Sequence, residues 1–283
     1  MKFASFVQGG KLSWGVVESD VLYAASAALI ADYPTLRALI AADALKAAFD
    51  QREGWKTLTL DQVEWAPLIP DAGKIICVGL NYENHRKETE RPVVANPTIF
   101  TRFADSQIGH QQPLIKPHVS DELDYEGELA LIIGKGGRNI PADGALAHVA
   151  GFSCYNDGSV RDWQRHTMQF TPGKNFPGTG AFGPWLVTPD EFGDIPSKRL
   201  QTRLNGQVMQ VAHFADLIFS LNRLIEYCSA FTPLSAGDVI VTGTPGGVGA
   251  KRNPPVFMKD GDVVEVEIDG IGILRNRIAD EAR

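Results

Sequence analysis

Cysteine is scarce: Cys77, Cys154 and Cys228 are widely spaced, and no Cys-x-x-Cys pair occurs. That argues against a disulfide framework and fits a reducing compartment. None lies beside a histidine or in a nucleophile elbow, so each reads as a small buried hydrophobe. Basic charge is also short. Lys and Arg total 27 against 34 for Asp and Glu, giving a net charge of −7 and a pI near 5.4. This balance argues against a general nucleic-acid binder or a polybasic membrane-surface protein. Long apolar runs are missing too; Val21 to Ala31 is about half the length a membrane span requires. The opening residues lack the apolar core of a secretory leader, and a cytoplasmic protein with no membrane partner is expected. Nucleotide signatures are likewise absent. The glycine-rich stretch from Thr242 to Gly249 has neither the Gly-Lys-Ser/Thr ending of a phosphate loop nor dinucleotide-fingerprint spacing. No EF-hand spacing, internal repeat or low-complexity tract occurs.

What remains is an ordinary globular composition, 44% hydrophobic and 22% charged over 283 residues, with 28 glycines marking a turn-rich chain. That length buries a sizeable core without staples. Residues 1–70 read as a small N-terminal α/β module. A hairpin, Lys2–Val7 and Lys11–Val17, turns at Gly9-Gly10, and a helical stretch over 36–50 follows Pro34. Pro67, Pro70 and Gly73 punctuate the junction. Residues 71–283 read as a second, predominantly β part. Short β-like runs include 74–78, 98–102, 128–133, 185–187, 238–242 and 263–268, and one amphipathic helix spans about 216–230. Strict βαβ alternation is missing, which disfavours a doubly wound parallel sheet. The expected class is mainly β with some α, an α+β fold.

Three clusters carry candidate chemistry. Asp121 to Glu128 holds five acids in eight residues and runs straight into Leu-Ala-Leu-Ile-Ile. In a strand Glu126 and Glu128 share a face, and two anions on a half-buried face repel unless a cation lies between them. A solvated strand end and a pair of oxygen ligands for Mg²⁺ or Mn²⁺ both fit. Asp157 follows a short apolar run and precedes a turn, either as a plain Asn-Asp-Gly turn or as a third ligand. His85 and Glu88, three apart, face one side of a helical turn. A carboxylate there raises the basicity of the imidazole, as a general base requires; an exposed charged turn is the alternative.

In this order the motifs resemble the fumarylacetoacetate hydrolase family. They are Val78-Gly-Leu-Asn-Tyr-Glu-Asn-His85, Asp124-Tyr-Glu-Gly-Glu-Leu-Ala130, Asn156-Asp-Gly-Ser-Val-Arg-Asp-Trp-Gln164, Gly173-Lys-Asn-Phe176, Gly183-Pro-Trp185 and Gly237-Asp-Val-Ile-Val-Thr-Gly-Thr-Pro245, over about residues 74–280. The resemblance implies a mixed β-roll catalytic domain, usually in a homodimer. It also implies Mg²⁺ or Mn²⁺ on Glu126, Glu128 and Asp157, with Lewis acidity toward a 2-oxo acid. Arg161, Gln164, Lys174 and Thr244 then look like substrate and oxyanion contacts, with Lys174 also counted as catalytic. His85 and Glu88 resemble the lid dyad that activates water. Two departures stand out: Arg102 where many relatives carry lysine, and Gly-Ser-Val-Arg after Asp157 in place of Val-Ser-Ala-Arg. A guanidinium grips carboxylates bidentately, so Arg102 is expected on a substrate's acidic tail. The leading expectation is an acylpyruvate hydrolase that cleaves a 2,4-dioxo acid to pyruvate and a carboxylic acid. A diacid such as maleylpyruvate or fumarylpyruvate from aromatic-ring degradation is favoured. Rivals are an oxo-diacid decarboxylase of the oxaloacetate type, an isomerase or hydratase of aromatic degradation, and a metal-stabilised binding module.

Overall fold

A computed structural model describes residues 1–282. Among them a twelve-stranded sheet runs, in spatial order, through Lys56–Thr59, Val21–Ala24, Lys11–Glu18, Lys2–Gln8, Gly180–Val187, Val149–Asp157, Gly127–Ile133, Val239–Val241, Ile75–Gly79 and Thr98–Arg102, with two short strands pairing off this path. A five-stranded sheet packs beside it in the order Gln207–His213, Arg199–Leu204, Val263–Ile268, Gly272–Asp280, Leu114–Lys116. Most neighbours are antiparallel, which short turns allow; the pairings of Val239–Val241 with Ile75–Gly79 and of Gly272–Asp280 with Leu114–Lys116 are parallel. The fold is a sheet-rich α+β architecture.

The strand Gly127–Ile133 is buried along its whole length. Leu129, Leu131 and Ile133 enter one apolar cluster and Ala130 and Ile132 another, so both faces of the strand are core. Each such Leu or Ile contributes roughly 1.5–3 kcal/mol of burial. That anchorage holds the two glutamates at the strand's start. One face packs on the helix Leu221–Phe231, whose Leu221, Leu224, Ile225 and Cys228 recur at helical spacing. This helix begins five residues later than its apolar pattern implies, because the Ser220 side chain accepts from the Arg223 amide and caps it there. The stretch expected as one helix over 36–50 is two, Leu36–Ala41 and Leu45–Asp50, broken where Asp43 takes a positive φ of 53°.

Residues 1–70 do not close on themselves. Lys2 and Phe3 pair with Val187 and Leu186, which makes the first strand a direct neighbour of the central ones. Phe3, Trp14 and Leu39 share a cluster with Ala130, Tyr155 and Val241. The N-terminal segment is therefore an extension of the main sheet and core.

Candidate active site

Antiparallel pairing sets Gly127 opposite Asn156 and Glu128 opposite Tyr155. This places Glu126 across from Asp157, whose amide donates to the Glu126 carbonyl at 2.9 Å. Asn156 Oδ1 accepts from the Glu126 amide at 3.0 Å and locks the corner. Carboxylate oxygens of Glu126, Glu128 and Asp157 lie within 4.8 Å of one another, and all three residues are buried. Two strand ends thus gather three anions out of water, an arrangement that needs cations.

Part of that charge is met by protein. Lys174, at the end of the short helix Thr171–Lys174, donates to Glu126 Oε2 and to Asp157 Oδ2, both at 2.6 Å. Its ammonium also lies 4.9 Å from the centre of the Phe100 ring. Arg161 Nη2 lies 2.7 Å from Glu126 Oε1, off-axis for a hydrogen bond, while Nε donates to Asp124 Oδ2 at 2.8 Å. Burial alone would raise the Glu126 carboxyl, but Arg161 and Lys174 outweigh it and hold it well below the usual carboxylate range. Burial disfavours the charged form of Lys174, yet Asp157 and Glu126 raise its pKa and keep it protonated.

Glu128 differs. Among the described residues it meets no cation at ion-pair distance, and Oε2 accepts only the Gly243 amide, at 2.5 Å. Burial, then the neighbouring Asp157 and Glu126 carboxylates, push its pKa well above the ordinary range. With all four carboxylates ionised, Asp124, Glu126, Glu128 and Asp157 would place four buried negative charges against the three positive ones of Arg102, Arg161 and Lys174, so Glu128 can hold its charge only beside a further cation. Three hard oxygen donors around an uncompensated charge fit a divalent Mg²⁺- or Mn²⁺-type ion.

Glu126, Glu128, Arg161 and Lys174 line the floor of a cavity of about 680 Å³, with Phe100 and Phe170 on its apolar wall and Asp157 fully buried beside the two glutamates. His85 reaches the same cavity from the helix Glu83–Glu88. Its Nδ1 lies 3.1 Å from Glu88 Oε2, and Glu88 Oε1 accepts from the Gly247 amide at 3.0 Å. Burial opposes the Glu88 charge, but the His85 contact and the Gly247 amide hold its pKa below the usual value. An ionised Glu88 can only accept, so Nδ1 carries the hydrogen and Nε2 the lone pair of the neutral ring. Gln164 Oε1 accepts from Arg161 Nη1 at 2.9 Å. Its amide nitrogen is left as a donor on the cavity wall.

Two residues sit otherwise than expected. Arg102 has no exposed side-chain surface and lies behind the floor. Nη1 donates to Asp157 Oδ1 at 2.6 Å and to the Gly158 carbonyl at 2.9 Å, and Nη2 donates to Thr179 Oγ1 at 2.7 Å. It steadies Asp157 and does not reach the cavity where an acidic tail lies, because its strand turns the side chain inward toward Asp157. Thr244 does line the cavity, but its hydroxyl donates to the Gly127 carbonyl at 3.0 Å and accepts from Gln210 Nε2 at 2.8 Å. Its proton is engaged and no oxyanion donor is left. Asp124, fully buried, was given no role by sequence reasoning; it accepts from Arg161 Nε and from the Gly249 and Ala250 amides. Its place in the same acid run, two residues before Glu126, was the available signal.

Fold and site together define a sheet-built enzyme scaffold whose cavity joins a three-carboxylate floor to a His–Glu dyad. The model of the fumarylacetoacetate (FAA) hydrolase C-terminal domain matches residues 74–279, and the chain belongs to that family. It is 44% identical over 207 residues to the mitochondrial oxaloacetate tautomerase FAHD2A of Bos taurus, covering 72% of this chain and 66% of that protein. With FAHD2B of Homo sapiens, also named a mitochondrial oxaloacetate tautomerase, identity is 43% over 227 residues, covering 79% and 70%. The match thus spans about two thirds of the length of these curated relatives. Among solved structures, a fumarylacetoacetate hydrolase from Exiguobacterium antarcticum superposes with a TM-score of 0.86 at 36% identity, covering 99% of this chain and 100% of that one. A maleylpyruvate hydrolase from Sphingobium sp. SYK-6, in complex with manganese(II) and pyruvate, superposes at 0.82 with 27% identity and full coverage of both chains. No helix among the described residues is long and apolar enough to cross a membrane.

Proposed function

We propose that this chain is a divalent-metal-dependent enzyme that moves a proton at C3 of a 2-oxo acid, interconverting the keto and enol forms of an oxo-diacid of the oxaloacetate class. The observation that carries this reading is His85. Its Nδ1 is held by an ionised Glu88, its ring meets the cavity, and the floor of that cavity presents Glu126 and Glu128 of the buried carboxylate triad. A divalent ion on Glu126, Glu128 and Asp157 supplies Lewis acidity to the substrate's oxo-acid end. His85 Nε2 takes the C3 proton as a general base and, as an acid, delivers it to the C2 oxygen, so that the C3–H bond is exchanged for the enol O–H; ketonisation runs the same path in reverse. Lys174 and Arg161 keep Glu126 ionised, and Gln164 offers an amide donor to the substrate. The names of the relatives at 43–44% identity support proton transfer as the chemistry.

Hydrolysis of an acylpyruvate is the second reading, favoured by cavity size. A space of 680 Å³ lies in the range that encloses drug-sized ligands, far beyond a four-carbon acid. Here water deprotonated at His85 adds to the C4 carbonyl. The C3–C4 bond breaks, and a carboxylic acid leaves with pyruvate, which takes up a proton at C3. A homodimer is part of the proposal; a solution mass near twice 30.8 kDa supports it and a mass near 30.8 kDa contradicts it.

One experiment separates the chemistries. Mn²⁺-loaded protein is given enol-oxaloacetate, then an acylpyruvate, while enol absorbance, carbon dioxide and pyruvate are followed. Accelerated enol decay without carbon dioxide is expected. Pyruvate from the acylpyruvate alone transfers the assignment to hydrolysis, and carbon dioxide from oxaloacetate transfers it to decarboxylation.

A further inference from the structure

The glycine-rich stretch from Thr242 to Gly249 binds no nucleotide by its spacing, and the chemistry above leaves it without a task. Its backbone nevertheless meets both halves of the site in alternation. Toward the dyad, the Thr242 carbonyl accepts from Asn81 Nδ2 at 2.8 Å. The Gly246 amide donates to Asn84 Oδ1 at 3.1 Å, and the Gly247 amide to Glu88 Oε1 at 3.0 Å. Toward the floor, the Gly243 amide donates to Glu128 Oε2 at 2.5 Å, and the Gly249 amide to Asp124 Oδ1 at 2.8 Å. Glycine is required where the strand of contacts changes side. Gly243 and Gly247 have φ of 103° and 102°, and a Cβ would lie 2.7 Å from Asn81 Cβ at the first and 2.2 Å from the Met209 carbonyl oxygen at the second.

We infer that residues 242–250 are a positioning element that holds the His85–Glu88 dyad in register over the carboxylate floor, with Asn84 as the positioning residue that latches the dyad helix to it. Asn84 touches neither the floor nor the imidazole. Its Oδ1 accepts from the His85 amide at 2.7 Å as well as from Gly246, so it ties the backbone of the base to the loop. The helix Glu83–Glu88 is too short to be stable alone. Its start is pinned by Asn81 and Tyr82 to residues 217–219, and beyond that its order depends on Asn84 and Glu88, which with Asn81 make three contacts to one loop whose other side grips Glu128. An ion bound at the floor fixes Glu128, through it Gly243, and through the loop the dyad helix.

The test reads amide hydrogen exchange with and without Mn²⁺, alongside Mn²⁺ affinity by calorimetry, in the wild type and in Asn84→Ala. Asn84 is solvent-exposed, so the variant folds. In the wild type, Mn²⁺ slows exchange over both 243–250 and 83–89. In Asn84→Ala, Mn²⁺ affinity and the slowing over 243–250 persist. Residues 83–89 exchange at least about five- to tenfold faster, as loss of the Gly246 latch at about 1 kcal/mol predicts even before the local His85 contact is counted, and stop responding to the ion. Asn84→Asp, which keeps an acceptor oxygen at the same place, restores the response. Two results overturn the inference: no effect of Mn²⁺ on 83–89 in the wild type, or an undiminished response in Asn84→Ala. Neither readout depends on which substrate the enzyme takes.

Discussion

Of the three floor carboxylates, Glu128 alone lacks a cation among the described residues, and so it is the most sensitive reporter of the ion. Glu128→Gln keeps an acceptor for the Gly243 amide and removes a charge that nothing in the chain compensates. In chelator, the variant is expected to melt at or above the wild type, by up to about 2–4 °C per kcal/mol for a chain of this size. With Mn²⁺ the order reverses: the wild type gains stability by mass action while the variant binds roughly 100-fold more weakly or not at all. A variant that melts lower in chelator, or binds Mn²⁺ like the wild type, contradicts the assignment. The acid run entering an apolar strand and the i,i+3 spacing of His85 and Glu88 left a solvated strand end, a plain turn at Asp157 and an exposed charged turn open; the ordered family motifs, not spacing, picked out the triad and the dyad. Arg102 was legible only as an unusual residue. Whether its guanidinium faces ligand or protein depends on the direction its strand gives it, and spacing does not record that. The protein takes it: one carboxylate oxygen of Asp157 is held by Arg102 and the other by Lys174.

Elements followed the apolar pattern where local chemistry and tertiary packing agreed. Thr98–Arg102 and Val263–Ile268 fall where their β-branched runs place them. The long helix starts late because Ser220 accepts from the Arg223 amide and caps it there, while the Asp216 side chain accepts from the His213 amide and closes a short 3₁₀ turn. Asp157 closes a nine-residue strand, Val149–Asp157, and the sequence reveals only its presentation at a strand end. A further element-level consequence concerns His110, between the strands of the large sheet and Arg275 of the smaller one. Its ring packs edge-on to Trp65, and Nδ1 accepts from the Arg275 amide at 3.0 Å. Burial, and then the Arg275 charge, lower its pKa from 6.5 to about 4. Between these values the unfolded chain binds the extra proton and the folded chain does not. Stability is full above pH 6.5 and falls as pH drops toward 4, by about 2 kcal/mol from pH 7 to 4.5. Urea melts of His110→Gln across that range should show a correspondingly smaller loss; an unchanged pH slope contradicts the assignment.

For the whole molecule, part of the acid behind the net charge of −7 is concentrated in one buried site. The texture of the sequence changes near residue 70, and the family match begins at residue 74. This junction is not a break in the fold, because long-range pairing of Lys2 with Val187 carries the sheet across it. Pairing between strands so far apart in sequence is set by global topology, which local patterns do not encode. The same topology brings residues from 81–88, 124–128, 157–174 and 242–250 to one site, whose proposed activity is proton transfer at C3 of a 2-oxo acid. Deuterium incorporation at C3 of oxaloacetate, followed by NMR in D₂O with Mg²⁺, tests it directly. Incorporation well above the buffer rate is expected for the wild type, reduced to near the buffer rate in His85→Ala and in excess chelator. Incorporation no faster than buffer, or undiminished without His85, would contradict it.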